Sequence, residues 1–433
     1  MGQFTRNIGE SMVTSIVSLI LGMILSIVLA RYLQPEGYGK YSFIFLVCFL
    51  VCQVSHLSIS GANIFLVGKR IFSPSQTGTA SLIISFSLGL VGLLLFGVIA
   101  NLGPIREEII QKGIGYNLLW IAVATVPILM LSDNLKGIFL GMEKIRLVNI
   151  LLLSYLGFQL FSSFIFVVLL KMELTGAIVA YLLANIAGSF LVLACFIRSP
   201  NFEKVQFGSY IKEALAYSWK LHLGAIVFFL IYRVDVFLIV YLTGDMVAVG
   251  FYAAAVGFAE KIDIIPRVVS SVLFPRIAAV TREEARKYGP FLTRMTLLLG
   301  GLMALFLAVI SYYVVVLLLG VEYESSVLPL CVLLPGTVFL GGGRMVSTEL
   351  MGQGKTDVVA IANCTALVFN VVLNLLFIPK FGINGAAAVS SITYAVMFVI
   401  ELRGSSQLSG LSVSEYLIPQ KDDYSEIRRW LLS

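Results

Sequence analysis

Charge is scarce in this chain. Of its 433 residues, 12% are Asp, Glu, Lys or Arg, where a soluble domain uses about a quarter. That leaves too little polar surface to cover a globule in water, and excludes an ordinary soluble enzyme or binding module. Histidine is nearly missing: the two present, His56 and His222, cannot build a histidine metal centre. Five cysteines (Cys48, Cys52, Cys195, Cys331, Cys364) all fall inside apolar runs and form no C-x-x-C pair, which argues against a disulfide framework or a zinc site. The strict apolar–polar alternation of a membrane β-barrel is absent as well. No connecting loop is long enough to fold as a domain of its own, and no nucleophile elbow or acidic metal motif appears. An enzyme is not expected, and neither is a cofactor.

What the chain has is apolar length. It is 59% hydrophobic, with a mean hydropathy of +0.96. Crossing about 30 Å of hydrocarbon takes about 20 apolar residues of helix. Twelve runs qualify, near 8–30, 41–67, 77–101, 116–140, 149–170, 174–197, 214–242, 247–275, 291–319, 325–350, 358–378 and 383–402. The first is too long, and too closely followed by the second, for a cleaved signal peptide. The expected fold is an all-α integral membrane protein of 12 transmembrane helices.

The loops fix an orientation. The two ends and the even-numbered loops carry seventeen Lys/Arg, and the odd-numbered loops six. The positive-inside rule then places both termini in the cytoplasm. Because the basic residues follow loop parity rather than forming one patch, no nucleic-acid partner is implied.

"MGQGKTDV", from Met351, ends like a phosphate-binding loop. The glycine that such a loop needs five positions before Gly354 is Glu349, and a carboxylate there repels phosphate. The stretch is better explained as a repeat. "LGMEKIRL", from Leu140, also follows a span, and Gly141 and Lys144 recur as Gly352 and Lys355. Tyr32-Leu33 and Gly39-x-Tyr41 recur as Tyr241-Leu242 and Gly250-x-Tyr252, and Gly176-Ala177 as Gly385-Ala386. All the offsets are 209 to 211 residues, a step of six spans. Six is even, so the halves run in the same direction, as a parallel repeat. The expected organisation is a six-helix bundle over 1–200, a second over 201–403, and a cytoplasmic tail over 404–433 ending in "SEIRRWLLS". Pro127 and Pro335 fall at similar places in spans four and ten, where each permits a kink.

Charges inside spans are expensive and point to function. "IYRVDVFL" supplies Arg233 and Asp235, and "FAEKIDIIPRV" supplies Glu260, Lys261, Asp263 and Arg267. On an α-helix Glu260, Asp263 and Arg267 share a face, with Arg267 placed to pair with Asp263. Arg233 and Asp235, about 200° apart, do not share one. Arg233, Arg267 and Arg344 are candidates for holding an anionic headgroup, because a planar guanidinium binds phosphate through two donors. Asp235, Glu260 and Asp263 are their ion-pair partners or coupling groups. Asp133 and Lys136 read as a structural pair. The residues singled out nearly balance: Lys136, Arg233, Lys261, Arg267 and Arg344 against Asp133, Asp235, Glu260, Asp263 and Glu349. Span one carries a polar stripe (Asn7, Ser11, Thr14, Ser15, Ser18, Gly22) suited to lining or to close packing.

Three stretches resemble one family. "LARYLQPEGYGKYSF" from Leu29 is similar to the loop after its first helix. "RVDVFLIVYLTGDMVAVGFYAAAVGF" from Arg233 is similar to its seventh helix and following loop, with Asp235 at the family's aspartate. "FNVVLNLLFIPKFGINGAAAVSSITYAV" from Phe369 is similar to its last two helices, including Asn370, Asn374, Pro379 and Gly385. These resemble the Wzx-type polysaccharide flippases of the multidrug/oligosaccharidyl-lipid/polysaccharide exporter superfamily. The resemblance implies two pseudo-symmetric bundles in a V, with a cavity for an undecaprenyl-diphosphate-linked oligosaccharide unit. It also implies movement of that unit to the outer leaflet, in the inner membrane, for assembly of O-antigen or capsule. Polysaccharide polymerase and chain-length proteins are its candidate partners. The rivals are a cation-coupled drug exporter of the same superfamily, a peptidoglycan-precursor flippase (which usually has two more helices), and a non-transporting scaffold.

Overall fold

The long apolar runs fold as helices because, in hydrocarbon, a helix satisfies every backbone N–H and C=O within its own segment. The computed structural model describes residues 2–198, 202–264, 266–267, 269, 282–420 and 423, with residues 2–9, 104 and 282–288 described by backbone only. Among the described residues there is no strand. The helices are α1 (Gly2–Ser55), α2 (Ile59–Gly68), α3 (Pro74–Ala100), α4 (Gly103–Gln111), α5 (Tyr116–Val123), α6 (Val126–Gly141) and α7 (Ile145–Ser163). A π-helical turn, Phe164–Leu169, continues α7. Then follow α8 (Glu173–Arg198), α9 (Phe207–Thr243), α10 (Met246–Ala259), α11 (Arg282–Leu319), α12 (Val327–Gly352), α13 (Thr356–Ser409) and α14 (Val413–Leu417).

Among the described residues nine helical stretches are long and apolar enough to cross a membrane. Two of these, α1 and α13, are each a joined pair of the expected spans, broken at Gln34 (φ 57°) and Gly382 (φ 57°). Helix α10 opens the eighth expected span, and residues 270–275 of that span lie outside the described residues. The arrangement is consistent with twelve spans. Val98, Phe306, Val309 and Leu317 stand exposed on the helix surfaces, as residues facing lipid do.

Two expected spans are interrupted. Span four breaks between Val123 and Val126, and Pro127 enters the first turn of α6, where its missing N–H costs nothing. Pro335, its counterpart, stays inside α12, and Ser391 Oγ donates to the Val332 carbonyl beside it at 2.6 Å. Span two breaks between Ser55 and Ile59, where Leu57 and Ser58 take left-handed conformations.

The internal repeat is present in the backbone. Left-handed residues close matching turns at Gln34 and Gly244, Glu143 and Gly354, and Glu173 and Gly382, with offsets of 210, 211 and 209. The turns after α6 and α12 use the same hydrogen bonds. Lys144 N donates to Phe139 O at 2.8 Å as Lys355 N does to Leu350 O at 2.8 Å, and Glu143 N donates to Leu140 O as Gly354 N does to Met351 O. "GQGK" is therefore a helix-terminating turn.

The chain divides into two units: 1–226 with 245–250, and 227–244 with 251–433. The first is packed around Leu66, Ile84, Ile138, Phe139 and Phe196. Within it, residues 245–250 meet the Gln34 turn glycine to backbone. A Cβ on Gly39 would lie 2.0 Å from the Met246 carbonyl oxygen, and one on Gly250 would lie 1.9 Å from that of Pro35. The second unit is packed around Ile231, Leu340, Val346, Met397 and Phe398.

Candidate functional site

In the second unit a proline sets up the site. Pro266 has no N–H for the Ile262 carbonyl, and its ring crowds that carbonyl. Just before it the chain tightens to i→i−3 bonds. Lys261, Ile262, Asp263 and Ile264 donate to Phe258, Ala259, Glu260 and Lys261 at 3.1 to 3.3 Å, and the i→i−4 pattern resumes at Arg267. The regular α-helical face expected for Glu260, Asp263 and Arg267 is therefore rewound.

After the rewinding, Glu260 and Asp263 take different arginines. Arg233 on α9 forks onto Glu260 with bonds of 2.8 and 3.2 Å. Arg344 on α12 reaches Asp263 with bonds of 2.6 and 3.1 Å, and Tyr232 OH accepts a third at 3.2 Å. Arg267 donates to the same Asp263 oxygen at 3.0 Å, four residues on, as its spacing predicts. Asp263 is buried, whereas the Arg267 side chain is 59% exposed. The cluster thus sets three guanidiniums against two carboxylates, and Asp263 is shared by two arginines.

Asp235 belongs to a separate set of bonds. It is buried and accepts from Tyr252 OH at 2.5 Å, Val236 N at 2.7 Å and Ser390 Oγ at 3.0 Å. Asn370 and Asn374 on α13 are buried and bonded to one another at 2.6 Å.

Among the described residues, the first unit joins its buried polar groups through neutral side chains. Asn63 donates to Ser81 Oγ at 2.8 Å and to the Asn134 carbonyl at 3.0 Å, Asn134 donates to Ser85 Oγ at 2.9 Å, and Tyr210 OH donates to Asn63. Asp133 lies 3.3 Å from His56 Nε2 rather than against Lys136, because the break before α2 turns His56 toward it. Part of the span-one stripe faces a groove of about 540 Å³ lined by Glu10, Thr14, Arg146 and Asn149, with Val13, Ile150 and Leu153. The Asn7 side chain lies outside the described residues.

Three buried charged groups went unmarked or misread in the sequence. Glu401, on α13, accepts from Ser347 Oγ at 2.6 Å. Glu349, counted among the span charges but given no partner, accepts from Ser405 Oγ at 3.0 Å and from Tyr416 OH at 3.4 Å. Arg294, on α11, grips the chain after the last span through the Asp423 carboxylate and the Glu415 carbonyl. Burial pushes the Asp423 carboxyl up, but the Arg294 guanidinium and the Gln420 N–H outweigh it and hold the carboxyl below its ordinary value. "SEIRRWLLS" lies outside the described residues.

Residues 4–281 match the sequence profile of a family described as polysaccharide biosynthesis protein. The chain belongs to the polysaccharide biosynthesis protein family. Among its curated relatives is a Shigella flexneri protein named for O-antigen transport. It is 26% identical over 378 residues, which are 83% of this chain and 87% of that one. Another is the Staphylococcus aureus capsular polysaccharide biosynthesis protein CapF, 19% identical over 91% of this chain and 97% of that one. Solved structures share the fold of this family member. Lipid II flippase MurJ in an inward closed conformation aligns with a TM-score of 0.75 at 16% identity, covering 97% of this chain and 92% of its own. An inward-facing multidrug transporter of the MATE family and MOP superfamily aligns with a TM-score of 0.72 at 15% identity, covering 91% and 94%. The chain is a multi-pass membrane protein with the fold of these two structures.

Proposed function

We propose that this protein is a translocase that moves undecaprenyl-diphosphate-linked oligosaccharide units from the cytoplasmic to the outer leaflet of the inner membrane by alternating access. It lies with both termini in the cytoplasm and performs no chemistry on the sugar. The observation that carries the reading is the arginine cluster, in which Asp263 neutralises one of its two guanidiniums and the other remains available to an anion. A diphosphate carries charge and paired acceptor oxygens, which suits the forks of Arg233, Arg267 and Arg344. Glu260 and Asp263 hold those forks in place until the headgroup arrives, and Asp235 acts apart from them as a coupling group. The duplicated six-span halves are the two parts that move, and polymerase and chain-length proteins receive the product.

The test is made in a deletion strain, with polyprenyl-linked sugars extracted and assigned to a leaflet. A sugar-diphosphate-lipid that accumulates on the cytoplasmic side, and clears when the gene is restored, is the expected result. Normal leaflet distribution with altered sensitivity to cationic drugs would turn the reading to drug export. If Arg233→Ala, Arg267→Ala and Arg344→Ala each insert normally and restore export fully, the diphosphate clamp is wrong.

A further inference from the structure

Glu401 is buried in α13, within a membrane span, with 1% of its surface exposed. Its Oε1 accepts the Ser347 hydroxyl at 2.6 Å. Among the described residues its Oε2 has no hydrogen-bond partner, and a Cβ on Gly343 would come within 3.1 Å of it. Glu401 therefore packs against the turn of α12 that carries Arg344, flanked by Gly343 and Ser347. Arg344, next to Gly343 and three residues before Ser347 on α12, is a charged neighbour of Glu401, and its guanidinium is bonded to Asp263. One turn further along α13, Ser405 donates to Glu349, which also accepts from Gln353 on α12 and Tyr416 on α14. Leu297 of α11 and Val346 of α12 pack in one hydrophobic cluster with Phe398, one turn before Glu401 on α13.

A lone carboxylate ion is costly in such a place, and a neutral carboxyl group is far less so. A route to the ionised form exists, because Asp263 has two arginines. If Arg344 turns away, Arg267 still pairs with Asp263 at 3.0 Å, and Arg344 becomes the counter-ion that Glu401 lacks. We propose that Glu401 is a proton-binding site that exchanges with the Asp263–Arg344 pair during transport. With Arg344 on Asp263, a proton from water forms an O–H bond on Oε2. With Arg344 turned to Glu401, that bond breaks, the proton returns to water, and the guanidinium neutralises the carboxylate. A bound diphosphate competes for the same guanidinium and so keeps Glu401 protonated. The link to transport rests on the translocase reading, whereas the proton site does not.

The experiment is infrared titration of the full-length protein in phosphatidylethanolamine–phosphatidylglycerol vesicles, following the C=O stretch of protonated carboxyl groups. A band that is lost reversibly as pH rises, is missing in Glu401→Gln and is retained in Glu349→Gln is expected. A Glu401 band that does not titrate while the protein stays folded, or a titration of the same amplitude in Glu401→Gln as in the parent, overturns the proposal. Should Glu401→Gln fail to fold, Ser347→Ala removes the donor to Oε1 and must move the titration, and an unmoved midpoint overturns the proposal equally. Failure of the translocase reading would show in the leaflet assay and leave the infrared result standing.

Discussion

The two units share turns and differ in their interiors. In the first, Asn63, Ser81, Ser85, Asn134 and Tyr210 form a buried neutral network. In the second, carboxylates and guanidiniums occupy the interior. A neutral network that is well bonded fixes helices in place at modest cost. Ions in a membrane cost several kcal/mol and are kept where something uses them. The left-handed turns recur in both units, because the backbone allows few substitutes there, while the buried polar contacts described in the two units differ in kind.

Breaking what the repeats share should do the most harm. Gly39→Val or Gly250→Val forces a side chain into a carbonyl oxygen, and a loss of about 3 kcal/mol or more is expected, read as loss of a monodisperse peak in detergent. Next come the ionic contacts. Asp235→Ala orphans the Tyr252 and Ser390 hydroxyls and should cost about 3 kcal/mol, seen as a lower melting temperature. Arg233→Ala strips Glu260 of its fork. Removing both partners should recover part of the loss, a coupling that a double-mutant cycle measures. In the neutral network, Asn63→Ala should cost about 2 kcal/mol and leave transport per folded molecule unchanged. Equal damage to transport from the neutral and ionic variants would dissolve the contrast between the units.

A smaller effect belongs to the last turn. Because the folded Asp423 carboxyl lies below its ordinary value, its contribution is present above about pH 4 and is lost as pH falls through the folded value. Arg294→Ala should expose residues 413–420 to protease at neutral pH, as acid does in the parent. Smallest is Lys40→Ala, which breaks a partly exposed pair with Glu36 and should change stability by less than about 0.5 kcal/mol.

Much of this was legible in the chain. Continuous apolar runs gave the helices, and three near-identical offsets gave the repeat that Glu143 and Gly354 close with the same bonds. The Asp263–Arg267 pair followed from a spacing of four. What escaped were contacts that depend on tertiary distance. Arg344 and Asp263 are 81 positions apart, and no periodicity joins α9 to Glu260. The break at Leu57 and Ser58 had no proline or glycine to announce it. Pro127 and Pro335 looked alike, yet one starts a helix and the other lies within one. Glu401 was overlooked because a single acid at the end of an apolar run resembles an interface residue. Only its neighbours show that it is buried.

The crossing of Gly39 and Gly250 has a genetic consequence. Residues 245–250 belong with the first unit although the chain on both sides of them belongs to the second. A gene cut between the repeats would give a first fragment without the strip on which its own Gln34 turn closes, and a second fragment with that strip exposed. The halves can be recognised as copies, but they cannot be traded as parts. Recombination that swaps one repeat between relatives must carry both glycine turns together, or it will inherit two loops that no longer fit.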